Sequence, residues 1–94
     1  MTCFVYILSN KKNGTLYIGS TSDLIKRVWQ HKNKLIEGFT KRYSISNLVY
    51  FEQFNEIFEM AQRERRLKEW KRAWKINLIE KQNPQWKDLY MSLL

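Results

Sequence analysis

Cysteine, proline, glycine and histidine are scarce in this sequence. The 94 residues include one cysteine, one proline, three glycines and one histidine. Because Cys3 has no partner within the chain, no disulfide supports the fold, and we expect a reducing, cytoplasmic location. The hydrophobic fraction of 44% argues against a disordered chain, and the scarcity of glycine and proline reinforces this. No apolar run approaches the roughly 18–20 residues of a membrane span, so we expect neither a membrane partner nor a signal peptide.

Positive charge is the most pronounced feature of the composition. Seventeen lysines and arginines oppose nine acidic residues, which gives a net charge of +8 on 94 residues. A chain of this length has room for one domain and one core, spanning residues 1–94. An excess of this kind favours a polyanionic partner, most commonly nucleic acid, although basic membrane-surface and ribosome-associated proteins share it. Charge therefore indicates a class of partner but no activity.

Two β-type runs joined by turn-forming residues predict a β-hairpin over residues 3–8 and 15–18. A symmetric turn, with Ser9 opposite Gly14, places Tyr6 directly opposite Tyr17, and both phenols then share one face of the sheet. A bulge in the turn would change this register. Gly19 follows the second run, where it serves a tight strand exit, a close approach of substrate backbone, or a simple turn.

The next segment has helical spacing and places an arginine and a histidine on one side. Leu24, Val28 and Leu35 define a buried stripe, His31 falls on that stripe, and Arg27 lies at its margin. A histidine alone is typical of a core or a surface. Paired with Arg27, it offers a fixed cation for a phosphate and a proton acceptor near neutral pH.

Residues 37–47 are predicted to form a polar loop, followed by a third strand over residues 48–51. The loop carries Lys41, Arg42 and Tyr43, and this mixture of cations and an aromatic ring suits the binding of an unstacked nucleic-acid strand. A solvated loop with Tyr43 turned inward is the alternative interpretation.

A second helical pattern begins with Asn55 as the expected N-cap and carries a carboxylate, Glu64, within its apolar stripe. The stripe comprises Ile57, Met60, Ala61 and Leu67. An ionised carboxylate in such a place costs several kcal/mol unless it is paired or binds a cation. Glu64 therefore either forms an ion pair with Arg27 or another basic residue, or binds a divalent metal such as Mg²⁺, which prefers oxygen ligands.

The opposite face of this helix is basic and includes Arg63. Such a face can follow a phosphate backbone or can be merely solvated. The helical pattern continues, with a bend, until Asn83 and Pro84 end it.

The sequence resembles the GIY-YIG nuclease superfamily. Val5-Tyr6-Ile7 stands for GIY and Tyr17-Ile18-Gly19 for YIG, and Arg27, His31 and Glu64 follow in the expected order. The basic run from residue 63 to 72 is similar to that of the small stand-alone bacterial members. The superfamily also includes the N-terminal nuclease domain of the excision-repair nuclease and the GIY-YIG homing endonucleases.

This resemblance implies an α/β (α+β) fold in which helices flank a small, mainly antiparallel three-stranded sheet, in the order β-β-α-β-α-α. It also implies an endonuclease, a hydrolase that binds DNA and cleaves its phosphodiester bonds with one Mg²⁺ or Mn²⁺ ion, acting in DNA repair or recombination. Without a recognisable zinc finger or helix-turn-helix, we expect nonspecific or structure-dependent cleavage, a homodimer, or a partner protein that confers specificity.

The resemblance also implies a role for each matching residue. Glu64 would be the metal ligand, and Arg27 would stabilise charge on the scissile phosphate. Tyr6, assisted by His31, would orient or deprotonate the attacking water, and Tyr17 would position the phosphate or the water; which phenol is the base stays open. The residues expected to contact nucleic acid are Lys26, Lys41, Arg42, Tyr43 and Arg63.

The chain departs from the family pattern in places. Val5 and Ile7 replace the glycine and the final tyrosine of GIY, and Ser20 stands where some members have a lysine. Asn77 lies near the position of an asparagine that many members carry. The alternatives to an endonuclease are a nucleic-acid-binding module with weak or no catalysis and a protein-interaction subunit, each retaining the fold.

Overall fold

The structure is a computed structural model that describes residues 2–94, within which three strands and four α-helices occur. In chain order these are β1 (Cys3–Ser9), β2 (Leu16–Thr21), α1 (Leu24–Lys32), α2 (Phe39–Arg42), β3 (Asn47–Phe54), α3 (Ile57–Glu69) and α4 (Arg72–Gln82), followed by a 3₁₀ turn at Tyr90–Leu93. The predicted α+β fold is confirmed, with one helix more than expected, because α2 lies within the predicted loop. None of the helices within residues 2–94 has the length and apolarity needed to cross a membrane.

The three strands form one antiparallel sheet in the order β2-β1-β3, so that β1 is central and β2 is an edge strand. The predicted hairpin register is wrong by two residues, because Ser9 pairs with Leu16 and not with Gly14. The cause is a six-residue connection, residues 10–15, in which the Thr15 amide donates to Asn10 Oδ1 over 3.0 Å. Gly14 folds back inside this connection, where its amide donates to the carbonyl of Lys11.

The two-residue shift separates the tyrosines along the hairpin without changing their face. Tyr6 pairs with Gly19, and Leu8 pairs with Tyr17. Because side chains alternate between faces along a strand, an even shift leaves Tyr6 and Tyr17 on the same side of the sheet as diagonal neighbours.

Each face of the sheet is covered by helices. Helices α3 and α4 pack on one face, where the buried residues include Val5, Ile7, Ile18, Val49, Leu67 and Ile79. Helix α1 packs on the other face, where the buried residues are Tyr6, Leu8, Leu24, Val28, Ile45 and Leu48. Each large apolar side chain buried in this way contributes roughly 1.5–3 kcal/mol to folding.

Helix α1 is shorter than its apolar spacing suggested. Asp23 caps its N-terminus by accepting a hydrogen bond from the Lys26 amide over 3.1 Å. Its buried residues are Leu24, Val28 and His31. The expected extension of the stripe to Leu35 is wrong, because α1 ends at Lys32 and Leu35 is 59% exposed.

Helix α3 begins one residue later than predicted. Its N-cap is Glu56, not Asn55, and the Glu56 carboxylate accepts from the amides of Phe58 and Glu59. Ile57 is half exposed, and Leu67 is the fully buried residue of the predicted apolar stripe. The predicted bend is present as the break between α3 and α4.

The segment after α4 is bonded to β3 through two side chains. Helix α4 ends at Gln82, as predicted from Asn83 and Pro84. The buried Asn83 donates from Nδ2 to the Val49 and Lys87 carbonyls and accepts from the Lys87 amide. Asp88 accepts from the Leu48 amide over 3.1 Å.

Candidate active site

Two tyrosines and the single histidine meet on the face of the sheet that α1 covers. The Tyr6 hydroxyl lies 3.2 Å from His31 Nε2, within hydrogen-bond distance. The Tyr17 ring centroid lies 5.6 Å from that of His31 and 6.4 Å from that of Tyr6. The hairpin supplies both phenols and α1 supplies the imidazole, so the three rings form one cluster.

The imidazole of His31 is held at both nitrogens. Nε2 faces the Tyr6 hydroxyl, and Nδ1 lies 3.0 Å from Thr40 Oγ1 on α2. Burial, and then the positive charge of Arg27, lower the pKa of His31 to about 4. The ring is therefore neutral at physiological pH, with one nitrogen that donates and one that accepts.

Tyr6 is the more buried of the two tyrosines. It is 0% exposed, whereas Tyr17 is partly exposed. Burial, and then Tyr17, raise the pKa of Tyr6 to about 12, although the Arg27 guanidinium beside it acts in the opposite direction. Tyr6 is thus a neutral phenol at pH 7, connected inward to His31 and adjoining Arg27.

Gly19 leaves space for Tyr6. The predicted turn role is wrong, because Gly19 lies within β2 and pairs with Tyr6. A Cβ at this position would lie 2.6 Å from Tyr6 Oη and 2.7 Å from Tyr6 Cζ. The glycine therefore serves the packing of a site side chain, for which its sequence context gave no signal.

Glu64 reaches the site from the opposite face of the sheet. The Ser20 hydroxyl donates to Glu64 Oε1 over 2.6 Å, and Lys68 Nζ lies 2.8 Å from Oε2. Partial burial raises the pKa of Glu64, but the hydrogen bonds from Lys68 and Ser20 and the charge of Lys68 outweigh it and lower the pKa below its usual value. The expected ion pair is formed with Lys68, one helical turn away, and not with Arg27.

The edge strand β2 contacts both the aromatic cluster and the Glu64 carboxylate. Gly19 pairs with Tyr6 on the α1 face, and the next residue, Ser20, pairs with Val5 and bonds to Glu64 on the α3 face. Adjacent residues of a strand point to opposite faces. The aromatic cluster and the carboxylate therefore lie on opposite faces of the same edge strand.

The donor set suits a divalent cation held mainly by water and substrate. The Glu64 side chain is 21% exposed and already pairs with one cation, the Lys68 ammonium. Within residues 2–94 no group of three or more His, Cys, Asp or Glu side chains could form an all-protein cage. Mg²⁺ commonly retains several waters and is bound by one or two carboxylates plus substrate phosphates. Glu64 fits such an ion once Lys68 has moved aside.

A polar groove adjoins the aromatic cluster. It has a volume of about 180 Å³ and is lined by Thr21, Ser22, Asp23, Lys26, Arg27 and Gln30. Two cations on adjacent residues of α1, Lys26 and Arg27, thus border a concave surface beside the site. This is an arrangement that can accommodate a phosphate.

The other residues predicted to contact nucleic acid lie in two places. Tyr43 is 49% exposed, so it is not turned inward, and the Arg42 guanidinium lies over its ring. Lys41 pairs with Glu37 on the surface. Arg63 differs from these, because its partly buried guanidinium forms two hydrogen bonds of 2.8 Å with Glu52. We therefore leave Arg63 out of the proposed nucleic-acid surface.

Three contacts of the site were not predicted. Thr40 bonds to His31, Ser20 bonds to Glu64, and Lys68 pairs with Glu64. Only the last had a signal in the sequence, since residues four apart on a helix are neighbours.

Fold and site together define a class of small α+β domains in which a hairpin bearing two tyrosines meets a helix bearing arginine and histidine, with a carboxylate opposite. The chain belongs to the GIY-YIG catalytic domain family, whose model matches residues 2–77. This is a domain of a nuclease superfamily whose members act on DNA and generally use divalent metal ions.

Relatives of similar length share the sequence over most of the chain. The UPF0213 protein of Staphylococcus saprophyticus is 36% identical over 76 residues, which cover 81% of this chain and 92% of that protein. The UPF0213 protein of Clostridium perfringens is 38% identical over 76 residues, or 81% of each chain. The solution NMR structure of a UPF0213 protein from Bacillus halodurans aligns with 94% of this chain and 93% of its own, with a TM-score of 0.58 at 26% identity.

Proposed function

We propose that this protein is a metal-dependent endonuclease that hydrolyses phosphodiester bonds in DNA. The observation that carries the proposal is the meeting of two chemically different halves at the edge strand β2. A phenol–imidazole pair beside an arginine lies on one face, and an ionised carboxylate lies on the other. Hydrolysis of a phosphodiester needs a proton acceptor for water, a cation for the phosphate and a metal ligand, and these groups can supply all three.

The proton acceptors are Tyr6 and His31. As the water oxygen bonds to phosphorus, its proton passes to Tyr6 Oη, and the Tyr6 proton passes to His31 Nε2. The bond from phosphorus to the leaving oxygen breaks, and that oxygen takes a proton from solvent. Because the pKa of Tyr6 is raised and that of His31 is lowered, a free phenolate beside an imidazolium is unfavourable. The two transfers are therefore concerted.

Arg27 supplies the positive charge for the phosphate. Its guanidinium acts electrostatically on Tyr6, which is fully buried, so water reaches the phenol only after neighbouring side chains have moved. Tyr17, which is partly exposed beside the same rings, positions the phosphate or the water. Lys26, Lys41, Arg42 and Tyr43 form the surrounding DNA surface.

Glu64 would hold the Mg²⁺ or Mn²⁺ ion, with Ser20 fixing the other carboxylate oxygen. Such an ion, when bound, lowers the energy of the developing charge on the phosphate and the leaving oxygen. The carboxylate is ionised at neutral pH because Lys68 and Ser20 lower its pKa. The ion therefore need not compete with a proton.

The test is cleavage of supercoiled plasmid, branched DNA and single-stranded DNA in Mg²⁺ and in Mn²⁺. Glu64→Gln keeps the size of the side chain and removes its charge, and Glu69→Gln makes the same change at an exposed position of the same helix. We expect Glu69→Gln to cleave like the native protein and Glu64→Gln to lose cleavage. Arg27→Ala should lose about 10²–10³-fold in rate. If the native protein cleaves none of these substrates above the level of Glu64→Gln, the proposal is wrong.

One contact favours a second candidate function, the binding of nucleic acid without cleavage. Lys68 already neutralises the carboxylate that the enzyme needs for its metal. Calorimetric titration with Mn²⁺ in the presence of a non-cleavable DNA analogue distinguishes the two candidates. Uptake of one ion per site, lost in Glu64→Gln, supports the enzyme. Salt-sensitive DNA binding without any Mn²⁺ uptake supports the binding module.

A further inference from the structure

Three buried polar groups form a chain that leads from the proposed site into the protein. The Tyr6 hydroxyl faces His31 Nε2 at 3.2 Å, and His31 Nδ1 faces Thr40 Oγ1 at 3.0 Å. The exposed fractions of the three residues are 0%, 4% and 5% in that order. No water is needed to complete these contacts, so the protein itself determines where the imidazole proton lies.

A neutral imidazole allows two arrangements. With the proton on Nδ1, the ring donates to Thr40 and accepts the Tyr6 hydroxyl proton at Nε2. With the proton on Nε2, the ring donates to Tyr6 and accepts from Thr40. Only the first arrangement leaves His31 able to receive a proton from Tyr6.

The Tyr6 hydroxyl favours the first arrangement. Its one hydrogen-bond partner within residues 2–94 is His31 Nε2, so its hydrogen has no other acceptor to point at. A phenol hydrogen lies in the plane of its ring and has few other directions, whereas the hydroxyl of Thr40 rotates. A buried Tyr6 hydrogen without an acceptor would cost about 1–3 kcal/mol.

We propose that Thr40 is a positioning residue, which accepts the Nδ1 proton of His31 and so holds Nε2 free to take the proton of Tyr6. This inference rests on the proposed function for its catalytic meaning, but the tautomer itself is independent of cleavage. In this proposal, the role of helix α2 is to place Thr40 against His31. Thr40 is the buried residue of that short helix, and its neighbours Lys41, Arg42 and Tyr43 belong to the proposed DNA surface.

The single histidine allows a direct test. Because His31 is the only imidazole in the chain, ¹⁵N-labelled histidine gives one pair of ring nitrogen signals without assignment. Long-range ¹H–¹⁵N correlation spectra at pH 7 should show a protonated Nδ1 and an unprotonated Nε2 in the native protein. Thr40→Val, which keeps the shape and removes the hydroxyl, should move the ring to the other tautomer or to a mixture. Thr40→Ser should restore the native spectrum.

Kinetics tests the catalytic consequence. We expect Thr40→Val to lower kcat by about 10-fold or more with KM for DNA unchanged, and Thr40→Ser to retain most of the rate. A protonated Nε2 in the native protein, or identical spectra for native and Thr40→Val, overturns the assignment. A changed tautomer with an unchanged kcat overturns the positioning role. If the native protein cleaves no DNA, the proposed function fails, whereas the tautomer is still decided by the spectra.

Discussion

Gly19 and Tyr6 show how a residue without a side chain can be part of a site. The phenol of Tyr6 occupies the space beside Gly19, where any other residue would place a Cβ within 2.6 Å of Tyr6 Oη. Since Tyr6 also contacts His31 and is fully buried, it has little room to yield. The position of the phenol is therefore determined by β2 on one side and by α1 on the other.

Gly19→Ala is expected to displace Tyr6 and to lower both stability and cleavage. Overpacking of this kind typically costs 1–3 kcal/mol. Gly14→Ala is the matched control, because its Cβ would meet Asn10 and Lys11 in the hairpin connection, away from Tyr6. Thermal unfolding measures the cost of overpacking in both variants, and cleavage per folded molecule distinguishes them. Loss of cleavage in Gly14→Ala, or full cleavage in Gly19→Ala, would contradict this role of Gly19.

The buried His31 makes stability depend on pH. The unfolded chain takes up its imidazole proton near pH 6.5, whereas the folded protein does so near pH 4 because burial and Arg27 disfavour the charge. Stability is therefore full above pH 6.5 and declines as the pH falls towards 4, by about 3 kcal/mol in total. The titratable residues that face the ring are Tyr6 and Tyr17 from the sheet, and burial raises the pKa of Tyr6 to about 12, far from this range.

Urea unfolding at a series of pH values checks this expectation. The native protein should lose stability steadily from pH 6.5 to 4.5, and His31→Gln should show a much flatter dependence. The carboxylates with lowered pKa, Glu52 and Glu64, act at lower pH and are present in both proteins. Parallel curves for the two proteins would show that His31 does not carry the effect.

The residues of the site divide into those that sequence reasoning could find and those that it could not. Tyr6, Tyr17 and His31 were identified from their motifs and spacing, and the structure brings them together. The hydroxyl contacts of the site were not predicted. Ser20 and Glu64 are 44 positions apart in the sequence, and a serine or threonine hydroxyl fits many environments. Local patterns carry no information on which hydroxyl will face which group.

At the level of elements, the sequence predicted the order of strands and helices better than their boundaries. The period of the apolar residues identified β1, β2, β3 and the helices α1, α3 and α4. The hairpin register depended on how Asn10 bonds within its connection, and the start of α3 depended on competition between Asn55 and Glu56 for the cap. These are differences of about 1 kcal/mol between local alternatives, which composition alone does not resolve.

Asn83 is the element-scale link between the end of α4 and β3. Asn83→Ala should destabilise the protein by about 2–3 kcal/mol, because it leaves the buried Val49 carbonyl without its donor. The control is Asn77→Ala on the exposed side of α4, which should change stability by less than about 0.5 kcal/mol. Thermal or urea denaturation measures both. Equal stability of the two variants would mean that the Asn83 hydrogen bonds contribute nothing net.

At the scale of the whole molecule, the net charge of +8 does not all lie at the proposed site, because some cations border it and others are paired elsewhere. Lys26 and Arg27 border the polar groove, whereas Arg63 is bound to Glu52. Only the cations that contact phosphates contribute to the salt dependence of DNA binding. Total charge therefore overstates the electrostatic contribution to binding.

Lys26→Gln should lower the dependence of DNA affinity on salt, with the slope of log K against log salt reduced by about 0.9. Lys81→Gln removes the same charge from α4, on the face of the sheet opposite to α1, and should leave the slope unchanged. Fluorescence anisotropy over a range of salt concentrations provides both slopes. An equal reduction in the two variants would show that net charge, and not the groove, controls binding.

One proposed site per chain cuts one strand at each encounter. Under the proposed function, nicked circles should therefore precede linear plasmid, unless two chains act together. A homodimer and a partner that confers specificity both stay predictions.

The central place of β1 in the sheet has a consequence for biosynthesis. β1 is the first element of the chain, yet its second neighbour, β3, starts at Asn47, and the carboxylate of the site comes at Glu64. A nascent chain therefore exposes its middle strand unpaired on one side until β3 has also left the ribosome. During that interval the exposed edge of β1 is open to wrong pairing or chaperones. The proposed nuclease site can be assembled only after α3 has emerged and packs against the sheet.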